Sequence, residues 1–219
     1  MSDMRAFRAE AQLRGGAISF RDYIHLDALL AYAVCVRDDL PIAPTEGDLV
    51  DVEIPIQREP EGRFHLCSVG ICDWEIRERA HMIRRFPVEH AAYHTDIKRV
   101  NLSAGAQKHF RFPYERGFLV GDSMAFYGVG KLDEVRELLA LVHYLGGKRS
   151  TGHGRIRRWV IEPCDGWEGF PVLSPEGVPL RHLPDDWPGL APSERRFGNL
   201  SYPYWRRSTE ELVACPARC

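Results

Sequence analysis

The run Gly146-Gly147-Lys148-Arg149-Ser150-Thr151-Gly152-His153-Gly154-Arg155 gathers the residue types that hold phosphate. Glycine lets the backbone come close to an anion and turn successive N–H groups towards it. Lys148, Arg149, Arg155 and a protonated His153 supply positive charge, and a guanidinium grips two phosphate oxygens at once. Ser150 and Thr151 add hydroxyl donors, and no carboxylate interrupts the run. A nucleotide-binding P-loop is excluded. Arg149 separates Lys148 from Ser150, the upstream glycine is missing, and the run follows a helical pattern where a P-loop precedes one. The chemistry that fits is contact with an extended phosphate backbone. The alternative is a basic connector between a helix and a strand.

Acid–base chemistry would fall to histidine, whose ordinary pKa suits proton transfer near neutrality. Among nine histidines, His25 and His153 are the candidates, the first at the start of an apolar helical stretch and the second in the glycine-rich loop. His25 and Asp27 flank the apolar stripe on opposite sides, so they do not pair as base and orienter. No Ser–His–Asp set, carboxylate pair or metal-ligand spacing stands out, and the reading is a protein without catalysis. The cysteine pairs Cys67/Cys72 and Cys215/Cys219 lack C-x-x-C spacing, so no metal and no cofactor is expected.

The elements that must position these residues follow from periodicity. Phe7, Ala9, Ala11 and Leu13 alternate with Arg8, Glu10 and Gln12, as in a strand with one buried face, which Gly15-Gly16 ends. Leu26, Leu29, Leu30, Ala33 and Val34 mark a helix with Asp22 as N-cap, stopping before Pro41. Residues 49–57 and 64–72 read as strands around a turn at Pro60-Glu61-Gly62. Residues 74–117 have an excess of Arg and Lys over Asp and Glu, several aromatics and no clean period, and read as an inserted, partly extended basic arm. Phe118 to Gly128 reads as a strand. Lys131 to Leu145 reads as a helix with Asp133 and Glu134 at its start and Gly146-Gly147 as its C-cap. Arg155 to Ile161 is the last strand. Nine of the fifteen prolines fall in 163–219, so regular structure is not expected there. The many large rings of that stretch still argue that it packs on the main domain.

The expected fold class is α+β. Domain 1–162 is ferredoxin-like (βαββαβ) with the insertion at about 74–117, and 163–219 is an irregular extension. Such a fold shows an open face of antiparallel sheet suited to single-stranded RNA. The 219 residues carry a net charge of −2, which argues against coating nucleic acid by bulk charge and for a local cluster. The N-terminal stretch Met1 to Arg14 is studded with charge and no run is long enough to cross a membrane, so the expected place is the cytoplasm, with reduced thiols.

Three stretches resemble the RAMP proteins of CRISPR effector complexes: Tyr23 to Ala33, the glycine-rich segment Leu145 to Ile156, and Gly198-Asn199-Leu200-Ser201-Tyr202-Pro203-Tyr204-Trp205. The whole is most similar to the Cas-five-family small subunit of type IV complexes. The resemblance implies an RRM-like fold, no cofactor, and binding of the 5′ handle of the CRISPR guide RNA. It implies Cas-seven-like backbone subunits and a large-subunit-like protein as neighbours, with target DNA near the flanking motif as a further contact. It also implies an inserted β-hairpin thumb, and 74–117 is where one fits. There Arg84, Arg85, Lys98, Arg99, Lys108 and Arg111 would hold phosphates, while Phe110 and Phe112 would stack on bases or displace one. Two other readings stay open: a RAMP endoribonuclease maturing precursor guide RNA through His25 or His153, and a ferredoxin-like interaction module that binds no nucleic acid.

Overall fold

The computed structural model describes residues 4–15, 17–42, 52–85, 101–104, 108–164 and 171–217. It is α+β, with antiparallel sheets and two α-helices among these residues. Strand β1 (Met4–Leu13) alternates as expected, with Phe7, Ala9, Ala11 and Leu13 buried. It is the central strand of a three-stranded sheet, between β4 (Ser123–Lys131) and β5 (Ile156–Pro163). Helices α1 (Leu26–Arg37) and α2 (Leu132–Ala140) pack together on the buried face of that sheet. No helix among the described residues is long and apolar enough to cross a membrane.

The other face of the sheet carries a polar ladder. Arg8 pairs with Glu10, Gln12 donates to Glu10 and Arg158 donates to Gln12.

Several sequence expectations are corrected. Helix α1 begins at Leu26, not after Asp22, because the His25 carbonyl accepts the first helical N–H, from Leu29. Residues 52–57 and 64–72 run beside β4 through isolated bridges (Ile56 to Gly130, Cys67 to Gly128, Ile71 to Ala125) instead of forming continuous strands. The Ile56 and Cys67 amides bond locally to the carbonyls of Ile54 and His65, three-residue turns that interrupt the ladder. Residues 49–51 lie outside the described residues. The expected turn is present, with the Glu59 carboxylate accepting the amides of Glu61 and Arg63.

The strand read over Phe118 to Gly128 is two strands of different sheets. Gly121 and Asp122 adopt positive φ (65° and 49°), turning a corner between β3 (Phe110–Leu119) and β4. Helix α2 ends at Ala140, so Gly146-Gly147 do not cap it. Val142 and Leu145 keep the apolar spacing because both are buried, yet the Leu145 amide bonds to the Gly154 carbonyl and starts the return of the loop.

Strand β2 (Trp74–Arg84) pairs with β3 in an antiparallel hairpin inside the expected insertion. It is rooted on the main body. Trp74 stacks on Phe20 with centroids 5.3 Å apart, and Ser19 Oγ donates to the Glu115 carbonyl at 2.6 Å.

Past Pro163 the chain is more regular than its prolines suggest. Strands β6 (Leu183–Pro184), β7 (Arg195–Gly198) and β8 (Glu211–Ala214) form a small sheet in the order β6-β8-β7. The prolines keep these strands short without preventing pairing. Val172, Leu183, Leu200, Val213 and Cys215 form a second core with Phe64 and Leu66. Two residues from the segment before β2 thus complete the core of the C-terminal region.

Candidate nucleic-acid interface

The glycine-rich loop is a closed structure. Tyr144 bridges Arg155 at its neck, and Arg149–Thr151 make one 3₁₀ turn at its tip. Five of its ten amides are held by protein carbonyls. Gly147 donates to the Ser19 carbonyl at 2.6 Å, Gly154 to that of Ala17 at 2.9 Å, and Thr151, Gly152 and His153 bond within the loop. Gly146 and Gly154 have positive φ, and a Cβ on either would strike the carbonyl of Ser19 or Leu145. These glycines serve a close approach of two protein segments. The side chains of Arg149, Ser150 and Arg155 are exposed, and that of Lys148 is partly so.

His153 is held inside the loop. It is 7% exposed and turned away from the outer surface of the loop. Thr151 Oγ1 donates to the Lys148 carbonyl (2.7 Å) and therefore accepts from His153 Nδ1 (2.7 Å), which assigns the tautomer from the network. Nε2 is buried and makes no hydrogen bond among the described residues.

Loop and hairpin meet at Tyr114. Lys148 Nζ lies 5.3 Å from the centre of its ring, and His153 packs edge-on against it at 5.7 Å. Arg149 lies 5.9 Å from the ring of Tyr32 on α1. Sequence reasoning does not single out Tyr114 or Tyr32, because the pairing spans elements far apart in the chain.

The hairpin has two unlike faces. Its register places Ile76, Ala80, Met82, Phe110, Phe112 and Tyr114 on one side, together with Glu78, Arg84 and Arg116, and Arg77, Arg79, His81, Arg111 and Glu115 on the other, with Ile83 and Pro113. Phe110 and Phe112 stack with centroids 5.2 Å apart, and Phe112 is 44% exposed. Lys108 Nζ lies 5.4 Å from the Phe110 ring. Near the root, Arg77 pairs with Glu115 and Arg116 with Glu78, so charge there is neutralised. Arg111, bonded to His81, and exposed Arg85 leave net positive charge towards the far end. Arg84 sits opposite Phe110 in the register. Lys98 and Arg99 lie outside the described residues.

His25 is far from any such surface in character. It is buried, stacked on Tyr204 at 3.5 Å and 5.1 Å from His182. Burial first, then the positive surroundings of His182, Arg181 and Arg196, hold its pKa well below the ordinary value. Next to it lies a buried network that sequence reasoning misses. Arg181 Nη2 is 3.4 Å from Asp27 Oδ2, and the Tyr204 hydroxyl donates to Asp27 Oδ2 at 2.8 Å. Arg181 also donates to the carbonyls of His65, Cys67 and Leu200. Burial acts to lower the Arg181 pKa but is outweighed by the Tyr204 and Asp27 oxygens, so the guanidinium stays charged. Asn199 braces the turn that delivers Tyr204, donating to the carbonyls of Tyr204 and Arg206. The only sequence signal is the stretch Gly198 to Trp205.

A cationic loop is thus locked onto an aromatic hairpin, and the sequence that builds both is shared with a known group. A family model described as CRISPR type IV associated protein Csf3 matches residues 76–216, from the hairpin to the end of the second core. The chain belongs to the Csf3 family. The resemblance to type IV CRISPR proteins is thereby established over residues 76–216, which hold two of the three short stretches, while Tyr23 to Ala33 lies before them. The matched span includes the whole glycine-rich loop and the Gly198 to Trp205 turn of this Csf3-family chain. A search of curated proteins returns no match to it.

Proposed function

We propose that this Csf3-family chain is the non-catalytic subunit that caps the 5′ handle of the guide RNA in a type IV CRISPR complex. The observation that carries the reading is the junction of the glycine-rich loop, which bears Lys148, Arg149 and Arg155, with the hairpin through Lys148 and Tyr114, on the face that also bears Phe110 and Phe112. Cations beside a row of partly exposed rings are the composition of a single-stranded nucleic-acid track, with backbone phosphates on one and bases on the other. The sheet supports a ferredoxin-like ancestry. Read as β5-β1-β4 followed by the bridged segment 55–71, its order is that of a βαββαβ unit whose second strand is eroded. The polar ladder on the open sheet face, with Glu10 and Glu162 on it, favours the loop and hairpin over that face as the RNA track.

Catalysis is not part of the proposal. His25 is sealed under Tyr204, and His153 is buried with its Nδ1 committed to Thr151. The neighbouring subunits, Cas-seven-like and large-subunit-like, would meet surfaces such as the exposed cross-strand pair Phe197 and Leu212, the first 73% exposed.

Fluorescence anisotropy with labelled repeat-derived RNA tests the reading. The triple variant Lys148→Ala, Arg149→Ala, Arg155→Ala is expected to bind more weakly. Its salt dependence should fall by about 0.7 to 1 unit of slope for each phosphate no longer neutralised. Equal affinity and slope in wild type and variant would reject the loop as an RNA contact.

A further inference from the structure

A cavity of about 490 Å³ lies between the end of α2 and the outer edge of β5, beside the glycine-rich loop but outside it. Arg136, His143, Arg157 and Arg158 line it together with Ile156 and Trp159, and no carboxylate is among its lining residues. Its parts are held differently. Arg136 is fixed by Asp133 (2.8 Å) and the Ile161 carbonyl (3.1 Å), and Arg158 by Gln12 (2.7 Å). Trp159 is half-buried, with Nε1 donating to the Val142 carbonyl at 3.1 Å, which sets the plane of its ring. Arg157 sits where the β1–β5 register slips, is exposed, and has no ion pair among the described residues. His143 is likewise exposed.

We propose that this groove is a second nucleic-acid subsite, holding one nucleotide of single-stranded RNA with its phosphate at Arg157 and its base against Trp159. The inference rests on the RNA-binding reading above and extends it to a place on the protein that the glycine-rich loop does not cover. Three features point to this occupant. The lining is cationic, so the complement is an anion. A fixed aromatic ring with aliphatic neighbours beside unpaired arginine is what a base and its phosphate require. The groove also continues the chain of the loop: residues 148–158 contain Lys148, Arg149, Arg155, Arg157 and Arg158 and no acid. RNA leaving the loop at Arg155 meets Arg157 next. The volume lies within the range of sites that enclose a small ligand, room for one nucleotide and not for a duplex.

The test uses the whole chain and short single-stranded RNAs bearing 4-thiouridine at single positions, with crosslinks mapped by mass spectrometry. Anisotropy is measured on the same RNAs with wild type, the loop triple variant, and the groove variant His143→Ala, Arg157→Glu. Both groove positions are exposed, so folding is not at stake. The expected result is a crosslink within 142–143 or 156–159 and roughly a tenfold fall in affinity for the groove variant, since Arg157→Glu removes the cation that neutralises the phosphate and puts a repelling carboxylate in its place. Crosslinks confined to the loop and hairpin, with groove-variant affinity unchanged, would overturn the subsite while leaving the RNA-binding reading intact. Failure of wild type to bind any RNA at low salt would overturn both. Polyglutamate that binds wild type but not the groove variant, with RNA unaffected by the change, would mark the groove as an acidic-peptide site and overturn the proposal.

Discussion

Lys148 lies over the ring of Tyr114 at 5.3 Å, and through that contact the glycine-rich loop and the inserted hairpin form one surface. Held together they present charge and rings at a fixed spacing. Tyr114→Ala is therefore expected to weaken handle-RNA binding about as much as Lys148→Ala, while Tyr114→Phe retains it. A double-mutant cycle on stability should give a coupling of about 0.5 to 1 kcal/mol between the two positions.

The hairpin rings separate binding from stability. Phe112 is largely outside the core, so Phe112→Ala should change the unfolding midpoint little. If the ring stacks on a base, the same variant loses about 1 to 3 kcal/mol of RNA affinity. Urea titration and anisotropy on one preparation check both halves.

The Asp27–Arg181–Tyr204 network locks the C-terminal region to the first turn of α1. Asp27→Ala leaves a buried guanidinium without its carboxylate, and the expected cost is about 3 to 5 kcal/mol in urea unfolding. Tyr204→Phe removes the hydroxyl that donates to that carboxylate and accepts from Arg181, and should cost less, about 1 to 3 kcal/mol. Equal stability of the Asp27→Ala variant and wild type would show that the network does not hold the two regions together.

Acid should loosen the same region. His182 is held neutral down to about 4, mainly by burial, with Arg196 and Arg181 adding to the effect against the Asn199 hydrogen bond. His25 is shifted the same way. Folded pKa values below the unfolded one mean that full stability is present above about pH 6.5. It declines as pH falls from there towards about 4, because the unfolded chain takes up protons that the folded chain refuses. His182 alone accounts for about 3 kcal/mol across that window. Melting temperatures measured between pH 7 and 4 should fall accordingly, and His182→Gln should flatten the curve.

Much of the framework is legible in the sequence because local pattern and packing agree. The alternation over Phe7 to Leu13 becomes β1 since one face is packed and the other wet, and the extended arm after Trp74 contains the hairpin. What escapes is set by distant partners. The glycine-rich loop announces itself by composition, but the direction of its amides depends on the carbonyls of Ala17 and Ser19, more than a hundred residues away. The end of α2 is hidden because Val142 and Leu145 keep a helical apolar spacing while serving the core from a non-helical chain. Arg181 reads as one arginine in a proline-rich stretch. Only the fold brings it to Asp27, across 154 positions.

The most direct test of the account is to purify the tagged chain from its native host and sequence the RNA that comes with it. The account predicts a short RNA of uniform 5′ end, depleted when Lys148, Arg149 and Arg155 are replaced by alanine. A preparation carrying partner proteins but no RNA, or RNA retained equally by the triple variant, would contradict it.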